Sequence, residues 1–187
     1  VSRLEQLLAA YRTHIGLPWP AGVSGIQRVI FAVHDKEDEL RLRARLEDFE
    51  QATRAAGKRW HGIDLTDAFP DWLATQEYRE AYFECPEDLD GYPSGEVTAF
   101  VAHLQATLRD AITRADGPDT VIAISGVATL FGLARVSALV ESVKDLIGGR
   151  LLVFFPGEHN PDTHAYRLLD ARDGWNYLAL PLTPDQR

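Results

Sequence analysis

Four short strand-like runs, the first three each followed by a stretch of helical periodicity, constrain the fold of this chain more than any other feature. They are QRVIFAVH (Gln27 to His34), RWHGIDL (Arg59 to Leu65), TVIAIS (Thr120 to Ser125) and the RLLVFF that begins at Arg150 and ends at Phe155. The first, third and fourth are rich in apolar, β-branched or aromatic residues, as buried strands are, and RWHGIDL reads as a strand between Gly57 and the capping residues Thr66 or Asp67. Strands that alternate with helices are joined by right-handed crossovers. The pattern therefore predicts an α/β fold of three layers, a mainly parallel sheet flanked by helices. With 187 residues, 45% of them hydrophobic, the chain has material for one core, and residues 1–187 read as a single domain.

The intervening segments carry the helical signal. Leu4, Leu7, Leu8, Tyr11 and Ile15 recur at helical spacing up to Gly16, and Pro18 and Pro20 forbid continuation. From Lys36 to Ala56 an apolar face at Leu42, Leu46, Phe49 and Ala56 predicts one long surface helix. Glu37 with Arg41 and Glu39 with Arg43 stand at i,i+4 spacing on it. Gly57 ends that helix. Further helices are predicted from Ala68 to Tyr82, from Val97 to Ala115 and from Leu133 to Ile147, and Cys85 to Gly95 has the composition of an exposed loop. After the fourth run, Ala165 to Asp170 and Trp175 to Pro181 are predicted to form a C-terminal antiparallel hairpin turning at Asp173-Gly174.

Composition narrows function by exclusion. Twenty-eight acidic against nineteen basic residues give a net charge of −9, which argues against a protein that grips nucleic acid by neutralising phosphates. Cys85 is the only cysteine, so an internal disulfide and a cysteine-rich zinc site are excluded, and a reducing cytoplasm is compatible. The longest apolar stretch, Val121 to Ala134, is interrupted by Ser125, Gly126 and Thr129 and is too short to span a bilayer, and VSRLEQLLAAYRTHIG does not read as a signal peptide. Membrane and nucleic acid are accordingly not expected partners. Trp19, Trp60, Trp72 and Trp175 are expected to serve packing.

In open parallel sheets, ligands bind beyond the carboxyl ends of the strands, so chemistry is sought there. After the first run stands HDKEDE, which has Asp35 but none of the glycines of a phosphate cradle; its acids suit a helix amino end. After the second, Asp64 could meet a ribose hydroxyl or Mg²⁺, while Thr66 or Asp67 reads as a helix cap. Ser125 ends the third run without the G-x-S-x-G pattern of a nucleophile elbow, because Ala123 stands two residues before it. The fourth run enters a predicted loop with Glu158, His159, Asp162 and His164, whose histidines are five apart, not the i,i+4 of a helical metal pair. No cofactor or metal is expected.

The C-terminal block LLVFFPGE (Leu151 to Glu158), followed by YRLLDARDGWNYLALPL (Tyr166 to Leu182), resembles the C-terminal signature of the BrxB family of BREX bacteriophage-exclusion systems. LLAAYRTHIGLPW, RVIFAVHDKEDELRLRARLEDFE, IDLTDAF and EYREAYFECPEDL extend the resemblance along the chain. Between the two halves of the signature this chain has HNPDTHA where the family tends to Tyr and Asn. The resemblance implies a small cytoplasmic component of a phage-defence system that distinguishes self DNA by methylation. Such a component is encoded beside an alkaline-phosphatase-like PglZ protein, a large ATPase and a DNA methyltransferase. The expected role is a non-catalytic adaptor docking on PglZ and other BREX components, with Tyr166, Arg172, Asp173, Trp175 and Tyr177 as candidate contacts. The competing expectation is a degenerate P-loop-like nucleotide-binding or metal-dependent enzyme, in which Asp35, Asp64, Ser125 and Glu158 converge at the sheet's carboxyl edge.

Overall fold

The computed structural model describes residues 2–77, 79–85, 95–115, 117–174 and 178–184. Its centre is a parallel sheet of strands β1 (Val29–His34), β2 (Arg59–Asp64), β3 (Thr120–Ser125), β4 (Arg150–Asn160) and β7 (Leu180–Leu182), in the order β2-β3-β4-β1-β7. All four apolar runs are strands. β1 and β3 are buried throughout because neighbours flank them and helices cover both faces, whereas β2, at an edge, is largely exposed.

The period of two along each strand sorts the core into two layers. Ile30, Ala32, Leu152 and Phe154 face helices α1 (Arg3–Ile15) and α3 (Leu46–Ala55), meeting Leu7, Tyr11 and Phe49. Phe31, Val33, Val153 and Phe155 face the opposite layer, with Phe100, Leu104 and Leu108 of α6 (Gly95–Ala115) and Leu139 and Val140 of α7 (Val136–Val143). The α/β, three-layer architecture is thus present. Helix α1 starts with a reciprocal cap: Glu5 N donates to Ser2 Oγ at 3.2 Å, and Ser2 N donates to Glu5 Oε2 at 2.7 Å.

Three predicted helices are shorter or broken. The segment 36–56 divides into a 3₁₀ turn (Lys36–Asp38), α2 (Glu39–Arg43) and α3, with the break at Ala44 and Arg45. The expected i,i+4 pairs give way to tertiary ones. Glu39 turns back to His34 and Arg43 reaches Asp64, while Arg41 takes Asp38. Exposed i,i+4 pairs contribute only about 0.3–0.5 kcal/mol, too little to hold the segment straight. The segment 68–82 likewise splits into α4 (Ala68–Ala74) and α5 (Arg79–Glu84), because Thr75 Oγ1 and Gln76 Nε2 both donate to the Trp72 carbonyl and close the end of α4. The third, read as Leu133 to Ile147, keeps only α7 as α-helix and continues as a 3₁₀ turn over Lys144–Leu146. The loop expected from Cys85 to Gly95 lies, from residue 86 to 94, outside the described residues.

The C-terminal block departs furthest from expectation. β4 does not stop at Phe155; it runs on past the sheet, and its last residues pair antiparallel with β5 (Ala165–Leu168), which pairs with β6 (Ala171–Gly174). The turn between β5 and β6 is therefore at Leu169 and Asp170. Asp173 and Gly174 belong to β6. Leu169 adopts φ 53° and donates its N–H to the Pro156 carbonyl at 2.9 Å, and Asp170 lies 2.9 Å from Lys36 on the surface; with Tyr166 and Leu168 in the core, tertiary packing overrides the turn propensity of Asp-Gly. The last predicted strand becomes β7, parallel to β1, instead of the second arm of a hairpin. No helix among the described residues is long and apolar enough to cross a membrane.

Candidate functional site

The connections leaving β1 and β4 diverge to opposite faces of the sheet: α2 and α3 on one, the β5–β6 hairpin with Tyr166 and Leu168 on the other. A crevice opens where neighbouring strands part company in this way. Here it is a cleft of about 660 Å³ between the ends of β1, β4 and β7, walled by Arg3, His34, Asp35, Glu158, His159 and His164.

Two of the four sequence candidates, Asp35 and Glu158, share this cleft. The other two, Asp64 and Ser125, are register partners at the ends of β2 and β3. With strands spaced about 4.8 Å apart, β2 lies some three spacings, roughly 14 Å, from β1, so the four groups form two pairs and do not converge on one ligand.

Asp64 is occupied structurally. Its Oδ1 accepts from Thr66 N at 3.0 Å and Thr66 Oγ1 at 2.5 Å, and its Oδ2 accepts from Arg43 at 3.2 Å. Thr66 and Asp67 were expected to cap α4; Asp67 occupies the N-cap position without a side-chain bond, and Thr66 is spent on Asp64. Gly126 follows Ser125 with φ 76°, and a Cβ there would lie 2.6 Å from Thr66 N, so this turn requires glycine. Ser125 is buried and gives its carbonyl to Leu65 N at 2.9 Å.

Burial pushes the Asp64 carboxyl up, but the Thr66 hydroxyl and amide, aided by Arg43, outweigh it and hold the group below its ordinary value. A carboxylate lowered on folding stabilises above its unfolded pKa, about 3.9, and loses that contribution as pH falls through the folded value. Asp64→Asn is expected to flatten the acid limb of stability below about pH 4. Because the side chain is about half exposed, the change at neutral pH should stay within about 1 kcal/mol. Urea titration of both proteins across that range checks it; an unchanged acid limb refutes it.

Within the cleft, His34 sits at the end of β1 with its ring buried. Nε2 lies 2.6 Å from Glu39 Oε2 and Nδ1 lies 3.2 Å from the Ala32 carbonyl, so both ring nitrogens face oxygens. Asp35 is paired with Arg3 at 2.9 Å, which ties the start of α1 to the cleft rim. His159 packs against Tyr166 at 4.7 Å between ring centres, with His164 at 6.3 Å. Its Nε2 is buried with no hydrogen-bond partner among the described residues. Burial first, and the neighbouring His164 second, lower its proton affinity.

Glu158, His159 and Asn160 are strand residues of β4, where the sequence reading placed a loop. Only the following turn is a loop, closed by Asn160 Oδ1 accepting from Asp162 N and Thr163 N. Among the described residues, no three His, Cys, Asp or Glu side chains come together as a metal site. Sequence reasoning passed over Arg3 and His34; the position of His34 as the polar last residue of an apolar strand was the signal available.

Of the candidate contact residues, Tyr166 is fully buried, and its hydroxyl donates to the Ala179 carbonyl at 3.0 Å, so it is a core residue and presents nothing to a partner. Arg172 and Asp173 lie on β6, and Trp175 and Tyr177 lie outside the described residues. Among the other tryptophans, Trp72 is buried beside Phe69 and Phe100, while Trp19 and Trp60 are half-buried against the α1–α3 layer. No family model, curated protein or solved structure matches the chain.

Proposed function

We propose that this protein is a non-catalytic adaptor of a BREX phage-defence complex that docks on the alkaline-phosphatase-like PglZ protein through the two-faced β4–β5 hairpin. The observation that carries the proposal is that the block resembling the BrxB signature builds one continuous unit: the outer half of β4, β5, β6 and the edge strand β7. Its inner face, Tyr166 and Leu168, is core. Its outer face carries Glu158 opposite Arg167, both exposed. Carboxylates at the strand ends support the same reading, since Asp35 and Asp64 are engaged by Arg3, Thr66 and Arg43.

Co-expression with the PglZ-like protein, followed by size-exclusion chromatography at micromolar concentration, tests it. Co-elution is expected, and Arg167→Gln, on the exposed face, should weaken the complex about tenfold, as for a rim charge facing a complementary partner; a melt of the variant alone measures the loss of the bond from Arg167 Nη2 to the Asp170 carbonyl. Separate elution of two well-expressed proteins overturns direct docking.

The cleft favours a second reading, a ligand-binding site at the β1–β4 crevice, because His159 offers an unpaired buried nitrogen there. In the same preparation, saturable uptake of ATP with Mg²⁺ that is lost in His159→Ala would replace the adaptor reading with this one.

A further inference from the structure

We infer that the opposite, amino-terminal edge of the sheet is a binding site for a phosphate-type oxyanion, held between the guanidinium groups of Arg28 and Arg150. β1 and β4 are parallel neighbours in which Val29 stands beside Leu151, so Arg28 and Arg150 enter the sheet side by side, with strands about 4.8 Å apart. Like charges placed opposite each other repel. Arg150 is only 6% exposed, and a buried arginine ordinarily has an acidic partner.

Among the described residues, neither arginine has one. Arg28 Nη1 donates to the Ile147 carbonyl at 2.5 Å and Arg150 Nη1 to the Gly149 carbonyl at 2.9 Å. Asp119, just before the neighbouring strand β3, is taken by Lys58 at 2.7 Å. Further positive charge gathers on Trp19: the Arg150 guanidinium lies 4.6 Å and Lys58 Nζ 4.3 Å from its ring centre.

Access is available. Arg150 keeps a 6% exposed fraction, and its other two nitrogens make no hydrogen bond among the described residues. Half-buried Arg28, Trp19 and Lys58 surround them. Two uncompensated guanidinium forks match a group that carries close to two negative charges and several acceptor oxygens, which a phosphate supplies and a single carboxylate does not. The net charge of −9 repels anions at long range, so any binding here comes from this local arrangement. The site lies at the far end of the sheet from the cleft and the hairpin, and it stands or falls independently of the adaptor proposal.

Thermal melts and calorimetry of the whole chain with inorganic phosphate, against chloride at equal ionic strength, test the inference. A saturable, phosphate-specific rise in melting temperature is expected. Arg28→Gln, at the half-buried mouth, should weaken binding about tenfold or more, as should Arg150→Lys, which keeps the charge and loses the fork. If Arg150→Lys fails to fold, Arg28→Gln decides. A nucleoside monophosphate as second probe distinguishes the source: tighter binding than phosphate assigns an ester, equal binding the free ion. No phosphate-specific response, or an equal response in Arg28→Gln, overturns the site.

Discussion

Gly157→Ala is expected to destabilise the protein by about 3 kcal/mol or more, which for a domain of this size lowers the melting temperature by roughly 6–12 °C. Gly157 stands where β4 leaves the parallel sheet and begins to pair with β5, opposite Leu168. A Cβ at this position would collide with the Arg167 carbonyl and come within 3.2 Å of Leu169 N. Both are backbone atoms, so no rotamer change relieves the contact; β5 would have to move as a unit. Leu169 N is also the donor to the Pro156 carbonyl, so the same displacement strains the bond that fixes the β5–β6 turn. Urea and thermal denaturation of the variant measure the loss, and stability within about 0.5 kcal/mol of the parent would show that β5 does not pack on Gly157.

This gives the Phe-Pro-Gly-Glu sequence a physical meaning. Phe154 and Phe155 point to opposite core layers, Pro156 pairs with His34 across the strands and anchors Leu169, Gly157 admits the β5 backbone, and Glu158 is the first side chain to emerge. The motif is a hinge between parallel and antiparallel pairing. It belongs to the fold, and whatever function the hairpin serves is displayed beyond it.

How far the architecture could be read in advance follows from the range of the forces involved. β1, β3, β4, α1 and α6 were legible because each is announced by its own apolar pattern, a property of a few to twenty consecutive residues, and β2 by the glycine stop before it and the capping residues after it. The broken helix after β1 was not: Glu39 meets His34 and Arg43 meets Asp64, and the second of these contacts exists only once β2 is in place. The misplaced hairpin turn has a similar origin: Asp-Gly has the better local propensity, yet burial of Tyr166 and Leu168 in the core and the bond from Leu169 N to the Pro156 carbonyl place the turn at Leu169 and Asp170.

At the candidate sites, the polar residue ending each strand was visible, but their grouping was not. Strand order places β4 between β3 and β1, and that order separates Asp64 from Asp35. Likewise, a basic residue is the first or second residue of three of the four runs: Arg28, Arg59 and Arg150. Only the pairing of β1 with β4 turns two of them into neighbours.

Tyr166→Ala is expected to cost about 3–5 kcal/mol, the range for deleting a fully buried ring, and to do so as a loss of folding instead of a loss of partner binding. The ring is 0% exposed and packs edge-on against Phe31 at 4.7 Å and Phe155 at 5.6 Å, so one side chain joins β1, β4 and β5. Its hydroxyl donates to the Ala179 carbonyl just before β7, which brings the sheet's edge strand into the same cluster. Tyr166→Phe separates the two contributions. Keeping the ring but leaving the Ala179 carbonyl without its donor, it should cost about 1–2 kcal/mol, clearly less than the alanine variant. A tyrosine that served a partner would behave oppositely: Tyr166→Ala would melt like the parent and fail to co-elute with the PglZ-like protein. Denaturation curves for both variants, read beside their elution profiles, therefore decide whether this aromatic position holds the hairpin to the sheet, as its burial requires, or presents it to something else.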